Sequence, residues 1–231
     1  MRIDKYLIVI ILLIMSPCLP ALVMSADAAS QSTGTSKATI TFEEDTDIPD
    51  ILDPDNPDEP YIPDPDDDGA TGHAGPLSLD YVSSIAFGNH KLSLKEEEYQ
   101  STTITPFIQV TDKRGNATGW QVEVKATPFF DDRTTTALKG AMLHFTGGEC
   151  LSSTDNQYIA PIPETFDLAT DGLTASKVVS ASENEGRGSW VTKWCAKGEP
   201  LNHKVTLTIP GGVAKEGVYK STLTWTLSDA P

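Results

Sequence analysis

Four tryptophans carry the chemistry that this chain can be seen to offer, and that chemistry is the exclusion of water from an apolar face. Two sit in Trp-x-aliphatic triplets, Trp120-Gln121-Val122 and Trp225-Thr226-Leu227. A strand sends every second side chain to one face. Trp120, Val122 and Val124 therefore share a face, with Gln121, Glu123 and Lys125 opposite. Leu223, Trp225 and Leu227 align in the same way, with Thr224 and Thr226 between them. Trp190 and Trp194, two steps of two apart, make a third pair of rings on one side. Indoles are mostly buried in folded proteins, so a core role competes with a flat apolar platform for sugar faces or a partner protein. Composition alone does not choose between them.

The residue types of catalysis are present without its spacings. His73, His90, His144 and His203 are scattered, with no His-Glu-x-x-His, no Cys-x-x-Cys, no Gly-x-Ser-x-Gly and no phosphate loop. Adjacent acids such as Asp131-Asp132 and Glu96-Glu97-Glu98 read as solvated loops in so acidic a chain. Asp64, Asp66, Asp68 and Gly69 copy the start of an EF-hand loop. Pro65 interrupts it, and Gly75 stands where the bidentate Glu belongs. The reading is of a non-enzyme with no cofactor and no metal site. A net charge of −16 with no basic cluster argues against nucleic acid.

Positioning these residues falls to three segments. Residues 1–28 read as an export signal: a basic start, an apolar stretch over residues 7–15 too short to span a bilayer, and Ala26-Asp27-Ala28 before a cleavage at Ala29. Cleavage removes Cys18 and leaves Cys150 and Cys195. These two can pair as a disulfide in an oxidising compartment, or remain as two buried thiols. Residues 29–75 hold a short alternating stretch at 37–42 and then an Asp/Pro run over 50–68. This region has 13 acidic residues against one basic, a net of −12. Proline and like-charge repulsion predict an extended, disordered, solvated spacer, reaching roughly 80 Å if polyproline-like. The stretch at 37–42 is expected to dock as an edge strand.

Residues 76–231 carry 18 acidic and 14 basic residues and read as all-β. Candidate strands fall at 77–82, 101–110, 120–126, 204–209 and 218–228, separated by Gly-rich turns. A single antiparallel β-sandwich of Greek-key, Ig-like type is the expected architecture. No later segment is apolar enough to cross a membrane and no Leu-Pro-x-Thr-Gly motif occurs, so retention outside the cell is expected to be non-covalent.

Taken in order, these blocks resemble the WxL domain family of Gram-positive surface proteins. The likeness runs through Ala38-Thr39-Ile40-Thr41-Phe42-Glu43-Glu44, the Asp/Pro run, Gly75-Pro76-Leu77-Ser78-Leu79-Asp80-Tyr81-Val82 and Ile85-Ala86-Phe87-Gly88. It continues through Thr111-Asp112-Lys113-Arg114-Gly115 to Gly119-Trp120, and then Tyr219 to Pro231. The first triplet departs from the family name, with Val122 where Leu is implied. The resemblance implies a secreted protein of the cell surface that binds peptidoglycan, accompanied by a membrane-anchored WxL-interacting protein. A subunit docking on that partner, with only indirect wall contact, is the alternative. Carried over by residue, the binding motifs are Trp120, Val122, Trp225 and Leu227; Trp190 and Trp194, read from their own spacing rather than from the family, are a candidate additional aromatic surface.

Overall fold

A computed structural model describes residues 32–229 except 132 and 135; the expected signal segment and Cys18 lie outside the described residues. Fourteen strands are present, with no helix among the described residues. In chain order they are β1 (Leu77–Val82), β2 (Glu97–Ser101), β3 (Phe107–Asp112), β4 (Trp120–Ala126), β5 (Phe130–Asp131), β6 (Met142–Phe145), β7 (Glu149–Leu151), β8 (Ile162–Pro163), β9 (Phe166–Ala169), β10 (Ser176–Ala181), β11 (Gly188–Lys193), β12 (Asn202–Ile209), β13 (Tyr219–Lys220) and β14 (Leu223–Asp229). They form four antiparallel sheets, ordered β1-β3-β11-β7, β14-β4-β10-β8, β2-β12-β6-β9 and β13-β5. The Greek-key, Ig-like layering expected from sequence is a finer statement than these pairings make, and it remains a proposal.

Alternation explains the elements. On β4 the side chains of Trp120, Val122, Val124 and Ala126 are fully enclosed, while Gln121, Glu123 and Lys125 stay at least partly wetted. One apolar core draws on three sheets: Val122 and Val179 from the second, Val110 and Trp190 from the first, Phe145 and Leu207 from the third. Two sequence-predicted strands are broken. The 101–110 strand divides because Pro106 has no N–H to give, and the chain turns between β2 and β3. The 218–228 strand divides where the Ser221 hydroxyl and the Thr222 N–H both turn to Thr127.

The Asp/Pro run corrects the expectation of a disordered spacer. It is strapped onto the first sheet. Leu52 and Pro60 bridge each other, and Ile51, Leu52 and Tyr61 pack on Tyr81, Phe107 and Val191. Tyr61 meets Phe107 edge-on at 5.1 Å, and Tyr81 stacks on Phe107 at 4.2 Å. Gln109, fully buried, accepts from the Leu52 N–H at 2.7 Å and donates to the Asp50 carbonyl and the buried Asp80 carboxylate. Asp55 lies between Lys193 and Lys197, at 3.2 and 3.0 Å, and Asp67 accepts from the hydroxyls of both Tyr61 and Tyr81. Composition pointed to solvation, but three apolar side chains and these polar latches outweigh it.

By contrast, residues 37–42 form no strand, unlike the short strand expected there.

The strap is acid-sensitive. Burial opposes ionisation of Asp55, but its bonds to Lys197 and Lys193 prevail and hold its pKa below the usual carboxylate value. At Asp67 burial is likewise outweighed, by the Tyr61 hydroxyl, the Gly69 N–H and the Tyr81 hydroxyl. Carboxylates with lowered folded-state pKa stabilise above the unfolded value of about 3.9 and lose that contribution as pH falls through the folded value. Hydrogen exchange at the Leu52 and Tyr61 amides is therefore expected to speed up below about pH 4, after correction for intrinsic rates, while β4 amides stay protected. Equal protection at pH 3 and pH 6 would contradict the latch.

Candidate wall-binding surface

The two triplets lie on neighbouring strands. β14 pairs with β4 in unbroken register, Leu227 opposite Val122, Trp225 opposite Val124 and Asp229 opposite Trp120. Opposed residues share a face, so both motifs belong to one apolar surface. The strands run antiparallel, so the two Trp Cα atoms stand about 14 Å apart along the sheet.

A polar clamp fixes the end of this ribbon. The Arg114 guanidinium binds the Asp112 carboxylate at 2.9 Å, the Gly119 carbonyl at 2.7 Å, and the Asp229 carboxylate. Asp112 is buried, and its contact is the first cause of the raised Arg114 pKa. The turn block ahead of Trp120 is thereby explained: it ties the start of β4 to the end of β14. Sequence spacing singled out the block but not its partner, which lies 115 residues away from Arg114.

The two Trp side chains have separate fates. Trp120 is wholly buried and donates its Nε1–H to the Gly186 carbonyl at 3.0 Å. Gly186 makes room for the ring, and Gly119 lets the chain ahead of it pass close to the 181–182 backbone. A Cβ on Gly186 would fall 2.7 Å from Trp120 Nε1, and one on Gly119 would fall 2.4 Å from the Ala181 carbonyl; both glycines have positive φ. Val122 is equally enclosed. Trp190 and Trp194 are 6% and 1% exposed, which corrects the expectation of an additional aromatic surface. Trp190 donates to the Arg187 carbonyl, and Trp194 packs edge-on against Phe145.

Trp225 and Leu227 are half-buried. Trp225 touches Phe145 edge-on, with centroids 6.5 Å apart, and opens into a groove of about 850 Å³. The floor is apolar, from Phe129, Leu138, Leu143, Leu207 and Ile209. The walls come from the 82–95 segment and from residues 214–223. Lys91, Lys95 and Lys215 stand along it with one carboxylate, Asp68. In a chain of net charge −16 this is a local excess of cations. The groove was not read from sequence, because its walls are irregular segments with no periodicity to find.

The cysteines are free thiols, which corrects the expected bridge. Cys150 lies opposite Thr192 on the paired strand, and its Sγ is 3.3 Å from the Thr192 hydroxyl. Cys195 is three residues further along, about 10 Å, beyond disulfide reach. Burial pushes the Cys150 thiol up to about 11. Iodoacetamide is expected to label Cys195 first in the native protein, and both after denaturation without reductant. A pair that reacts only after reduction would show a bridge.

Against this geometry, a family model described as the WxL domain surface cell wall-binding family matches residues 29–231. The chain belongs to the WxL family. No curated protein and no solved structure matches it. The WxL family is one of wall binding, so this is a cell-surface, wall-binding protein and not a member of an enzyme family. Among the described residues no helix is long and apolar enough to cross a membrane, and no three or more His, Cys, Asp or Glu residues gather as for a metal.

Proposed function

We propose that this WxL protein is exported by residues 1–28 and held non-covalently on a Gram-positive wall, with the Trp225 groove as its contact surface. The observation that carries this reading is the division of labour within the motif: Trp120 and Val122 are core, whereas Trp225 is only half-buried, beside an apolar groove. An indole there can stack on the apolar face of a sugar ring while the lysines meet carboxylates of the peptidoglycan. Water exclusion supplies the affinity and charge supplies the orientation.

Binding of residues 29–231 to protein-free peptidoglycan tests this. Saturable binding that weakens with salt and with Lys91→Glu or Lys215→Glu is expected. Failure to bind bare peptidoglycan would refute it. A second reading, docking on a membrane-anchored WxL-interacting protein with indirect wall contact, is favoured by Leu92, Leu94 and Val218, which are 62%, 92% and 64% exposed. Such aliphatic side chains suit a protein segment better than a glycan. Binding to that partner's ectodomain, with none to peptidoglycan, is the result that would favour it.

A further inference from the structure

Strands at sheet edges offer unpaired N–H and C=O groups to any other chain, and folded proteins blunt them by shortness, charge, proline, bulges or cover. Most edges of this molecule are so treated. β1 has a bulge between Leu79 and Tyr81, and the strap bonds along it, Thr71 N–H to the Asp80 carbonyl and Val82 N–H to the Gly69 carbonyl. β2 opens on Glu97 and Glu98, β7 has three residues, and β8 has two, one of them Pro163. β14 is blunted least, although β1 approaches it. It has seven residues, no bulge, no proline and no charge before Asp229, and among the described residues it pairs on one side alone. Its inward residues Leu223, Trp225 and Leu227 are half-buried.

A second feature is equally unused. Ala38, Ile40 and Phe42 alternate with Thr39 and Thr41, a strand-forming pattern in a stretch that has no strand among the described residues. Lys37 precedes them, and Glu43 and Glu44 follow.

We propose that β14 is a strand-acceptor site, filled by residues 38–42 of a second copy of this chain running antiparallel to it. In that direction Phe42 comes to Leu223, Ile40 to Trp225 and Ala38 to Leu227, so the larger side chains enter the groove. Lys37 then lies near Asp229, and Glu43 and Glu44 pass beyond Leu223 toward the lysine-lined end. Charge is what selects a second copy. Asp45 is held by Lys113 at 2.9 Å, next to Arg114 and its partner Asp229. A segment reaching β14 within its own chain would arrive from the Asp229 end and run parallel, setting Glu43 and Glu44 against that carboxylate. Reciprocal exchange closes a dimer, and one-way exchange extends into longer assemblies. The added strand covers Trp225, so a paired copy is closed to other ligands of the groove.

The test is the mass of residues 29–231 in solution, by light scattering over a wide concentration range with no wall material present. Its failure is thus separate from failure of wall binding. Mass rising from one chain toward two or more is expected. Phe42→Asp disables the donor and Lys95→Glu with Lys215→Glu weakens the acceptor. Each is expected to hold the protein near one chain, with unchanged circular dichroism. Mixing the two variants is expected to restore a heterodimer, because each keeps the half the other lacks. A monomer at every concentration, or an oligomer indifferent to Phe42→Asp and Ile40→Asp, would overturn the proposal.

Discussion

Trp120→Ala is expected to lower the folding free energy by about 3–5 kcal/mol, the range for emptying a buried aromatic site. Trp120 lies on a central strand between β14 and β10, and its roof is the Gly186 backbone, which loses its indole donor at the same time. Domains of this size have about 5–15 kcal/mol in total, so roughly a fifth or more of the stability is at stake. Urea unfolding gives the measurement: the midpoint falls while the slope stays constant. Gly186→Ala is expected to act in the same direction, since the new methyl meets both Trp120 and Ala181. A variant with parental stability and lost wall binding would show instead that Trp120 is a contact residue.

Trp225→Ala is expected to do the reverse. Truncating a Trp at the centre of a binding surface costs about 2 kcal/mol or more, which is roughly thirtyfold in affinity. Its stability cost is expected to be smaller than that of Trp120→Ala, because the ring keeps one face open to the groove. Trp225→Phe, which retains an apolar ring, should recover part of the binding. Isothermal titration with soluble peptidoglycan fragments, run beside urea melts of the same samples, separates the two effects. Full affinity in Trp225→Ala would remove the groove from consideration.

What the sequence made legible follows from periodicity. β1 and β4 appear with their predicted bounds because alternation and flanking turns agree there. The shared face of Trp225 and Leu227 follows from the same period of two. Burial of a particular indole does not. Trp120 and Trp225 occupy similar strand patterns, yet one lies under the Gly186 loop and the other at an edge. That difference is set by residues far away in the chain. The strap failed for a related reason. Aspartate and proline dominate residues 50–68, but Leu52 and Tyr61 decide its fate, together with a receptor, Gln109, on β3. Composition averages over the few side chains that matter.

The pairing of β4 with β14 also bears on synthesis. The neighbour that shields Val122 and Val124 on one side emerges roughly a hundred residues after them. During synthesis β4 therefore lacks this ladder until β14 has been made. A product truncated ahead of β14 would leave that edge of β4 unzipped, with Val122 and Val124 uncovered for quality-control proteases to seize.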